Sequence, residues 1–420
     1  MTGKARRSMT IFLAVVVVFL TISLVLYPEQ AFQAGTDGLK VFWDAVFPSL
    51  LPFFILSEVM LGLGVVNALG VILEPLMRPL FSVPGAGAFA LSMGLAAGYP
   101  MDAVITAKFR RNKLCSRIEG ERLLAFTNTA DPLFMFGSVA VGMFKSPSLG
   151  MLLAIAHYIS AFLVGFSFKF YGRRTERKER EEESFTRETR TDKKGRMFSR
   201  AILELIKARE EDGRTLGKLL GDAVNDSIKT LFMICGFIIF FAVLIRVLTE
   251  VGFTSLLSYP LHSLFALLGI DPHLIGPTLS GIFEIDIGAS QASQVAAPMV
   301  QKFLIVSAII AWSGLSVHGQ VASVLTGTDI RMFPYIMARM FHAVLAAILT
   351  VVFYNLGFGN ELAHTFFLPT LWSGVTPTSA HWLVSWTALK NWADLLGITI
   401  GLSLLVYVGS RFRRRAPSSR

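Results

Sequence analysis

The amino-acid sequence predicts an all-α polytopic membrane protein built from two inverted-topology repeats. Each repeat carries a re-entrant helical hairpin and a discontinuous helix, for about 8 full spans plus 2 hairpins. Three observations predict this fold. The 420-residue chain is 53% hydrophobic and only 16% charged, with a mean hydropathy of +0.58, too apolar for a soluble protein of this length. Its basic residues gather in a few segments. Leu133-x-x-x-Gly137-x-Val139-Ala140 returns as Leu315-x-x-x-Gly319-x-Val321-Ala322, a constant 182 positions later. Three crossings separate the two copies, so they run in opposite directions through the bilayer.

The elements follow in order. Uncharged runs lie at Met9 to Tyr27, Ser146 to Phe168, Phe303 to Thr328, Met340 to Asn360 and Leu395 to Ser410; all but the last are near or above the roughly 20 residues that cross the hydrocarbon. The first run follows Lys4, Arg6 and Arg7 but precedes no small-x-small cleavage site, so it reads as a retained helix. Of 39 Lys and Arg residues, 29 fall in 1–10, 108–122, 172–218 and 411–420. The positive-inside rule places all four segments, and both termini, in the cytoplasm. Full spans are expected at about 10–27, 40–66, 121–144, 149–170, 221–248, 302–326, 332–356 and 393–410, with re-entrant segments at 70–109 and 255–301. The chain then divides into an N-terminal helix and outer loop (1–37), a first repeat (38–171), a charged cytoplasmic linker (172–218), a second, inverted repeat (219–356), and an outer loop, last helix and basic tail (357–420). Trp372, Trp382, Trp386 and Trp392 put 361–392 on the outer interface.

The breaks carry the chemistry. Gly98-Tyr99-Pro100 ends the first half-helix of hairpin one, and Asp102 is placed to cap the second. Hairpin two breaks around Glu284-Ile285-Asp286-Ile287-Gly288 and returns past Ser290 to Gln301. Each hairpin precedes a helix with a polar interruption: Asn128, Thr129 and Asp131 before Pro132 in one; Ser313 and Gly314, then Ser316, His318 and Gln320, in the other. Broken helices expose N–H groups that suit anions and carbonyls that suit Na⁺ or H⁺. The expected substrate site is therefore Gly98, Tyr99, Pro100, Asp102, Asn128, Thr129, Asp131, Glu284, Asp286, Ser290, Ser313, Gly314, Ser316, His318 and Gln320. Ionisable groups at such depth are costly and default to function; some of these acids cap half-helices or sit in a vestibule in the plainer reading. Glu58 and Asp44 either pair with neighbours or line the cavity. His157 and His342 read as interfacial anchors near opposite surfaces.

Several classes are excluded or set aside. The net charge of +10 is no nucleic-acid footprint, because the linker also holds 11 acidic residues. Cys115 and Cys235 form no disulfide framework. No hydrolase elbow, zinc-protease helix or phosphate loop is present, so no enzyme, cofactor or metal is expected, a lipid-processing intramembrane enzyme being the alternative. The expected partners are a small anion and the bilayer, with a homo-oligomer left open.

At the breaks the chain resembles a known family. Gly98-Tyr99-Pro100, Glu121-Arg122-Leu123-Leu124-Ala125-Phe126-Thr127-Asn128 and Trp312-Ser313-Gly314-Leu315-Ser316-Val317-His318 are similar to the YlbJ group of sporulation integral membrane proteins, also called stage V sporulation protein V. The resemblance covers residues from about 38 to 356. It implies two nucleoside-recognition "Gate" domains, a distant similarity to concentrative nucleoside transporters, and transport of dipicolinic acid from the mother cell across the outer forespore membrane. Met101-Asp102 departs from the small pair expected after Tyr99-Pro100. A nucleoside or nucleobase-like permease and a non-transporting spore-envelope assembly protein are the alternatives.

Overall fold

The computed structural model describes residues 3–43, 47–173 and 197–358, together with Gly401. The expected last span at 393–410, the tryptophan-rich segment 361–392, the basic tail, Asp44 and the middle of the charged linker lie outside the described residues. Within them the chain is helical. It runs α1 (Gly3–Leu26), α2 (Pro28–Val41), α3 (Phe47–Gly62), α4 (Val65–Phe81), α5 (Gly87–Ala97), α6 (Met101–Arg111), α7 (Arg117–Thr127), a π-helical α8 (Leu133–Met143) and α9 (Ser148–Phe168). Then follow α10 (Met197–Asp212), α11 (Leu216–Glu250), α12 (Phe253–Leu268), α13 (Ile275–Phe283), α14 (Ile285–Gln294), α15 (Met299–Trp312), α16 (Gly314–Val324) and α17 (Met332–Asn355).

Among the described residues four stretches are long and apolar enough to cross a membrane: α9, α11, α15 with α16, and α17; the bent pairs α1–α2 and α3–α4 raise the total to six. The stretch expected as a span at 121–144 is broken at its expected polar interruption into α7 and α8, two 11-residue pieces, with Glu119, Glu121 and Arg122 buried inside the first. The expected outer loop after the first helix is α2, which packs along α11; Gly38 sits so close that a Cβ would lie 3.3 Å from Ile239 Cα. The linker is not wholly solvated either, because its C-terminal part is α10, docked on α4.

One order of elements occurs twice. A left-handed glycine opens a helix (Gly64, φ 77°, into α4; Gly252, φ 75°, into α12). Two half-helices follow (α5–α6; α13–α14), then a broken helix (α7–α8; α15–α16), then a long helix (α9; α17). Packing repeats with it. α5 meets α7 as α13 meets α15, and α6 meets α16 as α14 meets α8; α9 and α17 lie against each other. Close approach is what holds such bundles, since lipid offers no hydrophobic drive between helices. Gly94 illustrates it: a Cβ there would lie 2.2 Å from Thr127 O. One apolar core surrounds Met77, Phe89, Phe109 and Leu231, and a second surrounds Met135, Leu152, Leu279 and Ile309. A third, of Ala103, Ala107, Leu124, Val317 and Val321, lies where the two runs meet.

Candidate functional site

The site grows out of one missing hydrogen bond. Ser116 starts α7 with a capping box, accepting from the Glu119 amide at 3.2 Å while Glu119 Oε2 accepts from the Ser116 amide at 2.8 Å. The helix cannot run on past Thr127, because Pro132 has no N–H to offer the Asn128 carbonyl. The freed carbonyls of Asn128 and Ala125 accept instead from Arg339, one from each terminal guanidinium nitrogen. Arg339 is wholly buried, about 11 Å along α17 at 1.5 Å per residue. Tyr335, Arg339 and His342 recur at helical spacing and share the buried face of that helix, while Val344, Ile348 and Val352 form the exposed one.

Asn128 is the hub. Its Nδ2 donates to Asp102 Oδ1 at 2.9 Å, and Thr127 Oγ1 donates to Asp102 Oδ2 at 3.1 Å. A carboxylate only accepts, so the amide nitrogen must face Asp102 and its oxygen must face Tyr335, whose hydroxyl donates to it at 3.0 Å. That spends the tyrosine's one proton; Ser313, 3.3 Å away, is then the donor to Tyr335. One chain of contacts therefore joins hairpin one (Asp102), the first break (Asn128), α17 (Tyr335, Arg339) and the second break (Ser313). Asp102 does not cap α6 with its side chain, as the sequence suggested; it spans the gap to α7.

Each hairpin tip touches the break that follows it. Gly98 (φ 69°) lies where a Cβ would be 2.7 Å from Asp131 Oδ2, and Gly314 where one would be 2.9 Å from Phe283 O. Tyr99 crosses to the other half, donating to Ile310 O at 2.7 Å, and Trp312 Nε1 donates to Ile282 O at 3.0 Å. Pro100, joined to Tyr99 by a cis peptide, sits at the tip with them. Ser313 holds a left-handed φ of 69° without being glycine, a conformation a packed surrounding must impose. Trp312, His318 and Tyr335 form an aromatic group, with centroids 4.3 Å and 5.0 Å apart along it.

The remaining expected residues divide. Glu284 is buried beside Ser316 and within the field of Asp286, which in turn feels Asp131. Asp131 Oδ1 accepts from the Phe134 amide at 2.9 Å, a capping role for α8. Gln320 Nε2 reaches Ser316 Oγ at 3.4 Å, and Thr129 Oγ1 reaches Thr127 O at 3.4 Å. Ser290 lies farther along α14, where its hydroxyl accepts from Gln294, and is not brought into the network. The second hairpin breaks at Glu284 alone, and α14 stops at Gln294, short of the expected Gln301; Pro298 separates it from α15.

His157 and His342 are not interfacial anchors. Both are buried, with rings 4.6 Å apart. The Ala130 amide donates to His157 Nε2 at 3.1 Å, and His342 Nε2 donates to His157 O at 3.0 Å. The pair thus ties α9 to α17 behind the first break. Among the described residues, buried atoms with no partner include Arg339 Nε, His318 Nε2, Glu284 Oε2 and Nδ1 of both histidines. All flank the two breaks. A groove of about 500 Å³ lined by Glu29, Gln30, Gln33, Ala34, Asp37 and Arg246 lies between α2 and α11 and involves none of these residues.

Toward the far ends of α6 and α16 the two halves are joined by charged side chains. Arg110 grips Asp329 at 2.7 Å and 2.8 Å, and Arg111 donates to the carbonyls of Val324 and Thr326 at 2.7 Å and 2.9 Å. Arg331 donates to Glu121 at 2.8 Å and to the Tyr171 hydroxyl at 2.8 Å. The Arg110 guanidinium holds the Asp329 carboxyl below its usual range.

The long apolar helices and the broken ones packed between them define an all-helical integral membrane protein. The Gate family model, described as "Nucleoside recognition", matches residues 44–174, the stretch holding hairpin one and the first break. The chain belongs to the YlbJ family: it is 44% identical over 346 residues to "Sporulation integral membrane protein YlbJ" of Bacillus subtilis (strain 168), covering 82% of this chain and 83% of that relative. No solved structure matches it.

Proposed function

We propose that this chain is a secondary transporter of a small, flat anion, dipicolinic acid, carried from the mother cell across the outer forespore membrane and coupled to H⁺ or Na⁺. The observation that carries the reading is Arg339: a guanidinium fully buried among apolar helices, capping a broken helix with two nitrogens and leaving Nε unpartnered. A charge at mid-membrane costs about 2.5–3.5 kcal/mol on insertion scales, which favours a functional reason for its retention. Beside it Trp312, His318 and Tyr335 offer aromatic faces for a planar ring. Asp102, Glu284, Asp286 and Asp131 repel an anion while ionised, so a cation that neutralises them couples naturally to its binding.

In this reading the recurring elements are inverted repeats, the two breaks face each other near the midplane, and the pairs around Arg110, Asp329 and Arg331 close the cytoplasmic side. The doubled element order and packing support it, as does the concentration of basic residues at that end. Both termini are then cytoplasmic, and the protein acts on its substrate without chemical change. A nucleoside-like permease is the second reading, favoured by the description of the matching Gate domain. Cells lacking the protein test the assignment: they should make dipicolinate in the mother cell and fail to load it into spores. Normal spore dipicolinate in the deletion strain would remove it. Thermal stabilisation of the purified protein by uridine or adenosine, and not by dipicolinate, would favour the second reading.

A further inference from the structure

Helix α10 has three faces. Met197, Ala201, Leu205, Ala208 and Asp212 follow one helical stripe, and this stripe faces the protein. It packs on the α3–α4 junction, where a Cβ on Gly64 would lie 2.4 Å from Leu205 O and 3.0 Å from Ala208 Cβ. A second stripe, Arg200, Glu204, Lys207 and Glu211, is charged. The third, Phe198, Ile202 and Ile206 with Leu203, is apolar yet exposed, Leu203 at 62% and Ile202 at 58%. At 3.6 residues per turn the apolar stripe lies roughly opposite the charged one, with the docked stripe on the flank between them.

We propose that α10 is an in-plane membrane helix, its apolar stripe sunk into the cytoplasmic leaflet at the boundary of headgroups and acyl chains. The helix itself cannot cross, having 16 residues and a full charged stripe. A side docked to protein, one apolar side and an opposing charged side are what a helix lying beside a bundle at the bilayer surface requires. After three residues α10 gives way to α11, a helix long and apolar enough to cross the membrane, whose first turns also expose Leu216, Leu220 and Val224; this places α10 at the membrane surface. The junction is pinned: Asp212 accepts from Arg214 Nη2 at 2.6 Å and from Arg209 Nη1 at 3.1 Å, and Arg214 reaches Asp222 at 3.2 Å. The helix itself carries 3 basic and 4 acidic residues, so its apolar stripe rather than its charge supplies the attraction to the bilayer. The helix thereby ties the charged linker to the membrane surface against the helices that lead into hairpin one.

The inference rests on membrane integration and on no substrate. Its test uses the full chain with Cys115 and Cys235 replaced, reconstituted in phosphatidylethanolamine–phosphatidylglycerol vesicles, with a nitroxide at I202C, I206C, R200C or K207C. Labels at 202 and 206 should be relaxed by oxygen and shielded from a water-soluble nickel chelate; labels at 200 and 207 should show the reverse order. F198W, a conservative change on the same stripe, should be quenched by lipids brominated near the headgroup end of the chain. Equal nickel access at all four positions, with no quenching at F198W, would overturn the proposal. Spin–spin broadening at I202C that disappears on dilution with unlabelled protein would also overturn it, by putting a second copy on that face.

Discussion

Arg339→Lys is the sharpest perturbation of the site. The arginine uses two separate nitrogens on two carbonyls, Asn128 O and Ala125 O, in a fork that one ammonium on a flexible stem does not reproduce. Charge is kept while at least one charge-assisted hydrogen bond is lost. That loss is a cost to the break itself; the unpartnered Nε is the proposed contact to the anion, and lysine lacks it, so losing a charge-assisted bond of about 1.5–3 kcal/mol should lower substrate affinity roughly 10–150-fold. Arg339→Met goes further and leaves Asp102 without its nearby positive charge. Stranding a buried charge costs about 3–5 kcal/mol, and the lower end applies because Asn128 lies between the two groups. Abundance in the membrane should drop for Arg339→Met and recover when Asp102→Asn is added, whereas transport should not recover. Uptake of labelled substrate into proteoliposomes, set beside thermal unfolding in detergent, separates the two effects. Wild-type uptake by Arg339→Lys would refute the reasoning and reduce Arg339 to a helix cap.

Other consequences follow from the same geometry. Tyr335→Phe removes the donor to Asn128 and the acceptor for Ser313; a neutral hydrogen bond contributes about 0.5–1.5 kcal/mol, so binding should weaken about 2–13-fold per bond with the fold intact, as binding and melting curves would show. Asp329→Asn should loosen the closed end and speed modification of a cysteine placed at Val321 by a maleimide applied from the cytoplasmic side. Because Arg110 holds the Asp329 carboxyl below its usual range, that pair's contribution is present above the ordinary aspartate value and is lost only as pH falls through the lower folded value, so labelling of the unaltered pair should be flat between pH 6 and 8. Cysteines at Gly35 and Ser184 should label from opposite sides of intact cells, with Thr376 on the side of Gly35; outside labelling of Ser184 would sink the topology.

What was legible in the sequence was local. Gly98-Tyr99-Pro100 and Ser313-Gly314 break helices through their own backbone chemistry, and the structure breaks there. The cluster of Asp102, Asn128 and Ser313 followed from those breaks. The burial of His157 and His342 is not legible locally, because their partners, Ala130 and each other, come from elsewhere in the chain, and nothing in either helix's own pattern announces them. Arg339 does leave a signal: it is a lone charge within the apolar helix α17, immediately ahead of the uncharged run that begins at Met340. α10 was hidden by composition. Its charges suggested a solvated linker, while Met197, Ala201, Leu205 and Ala208 carried the helical period that docks it.

The central claim, an ion-coupled anion transporter, comes down to one measurement: uptake of labelled dipicolinate into proteoliposomes of purified protein, under an imposed pH or Na⁺ gradient and with none. The account predicts saturable uptake that one of the two gradients drives above equilibrium and that Arg339→Lys abolishes or weakens at least about tenfold. Dipicolinate entry equal to that of protein-free vesicles under every gradient, by protein that is folded and correctly inserted, would contradict it.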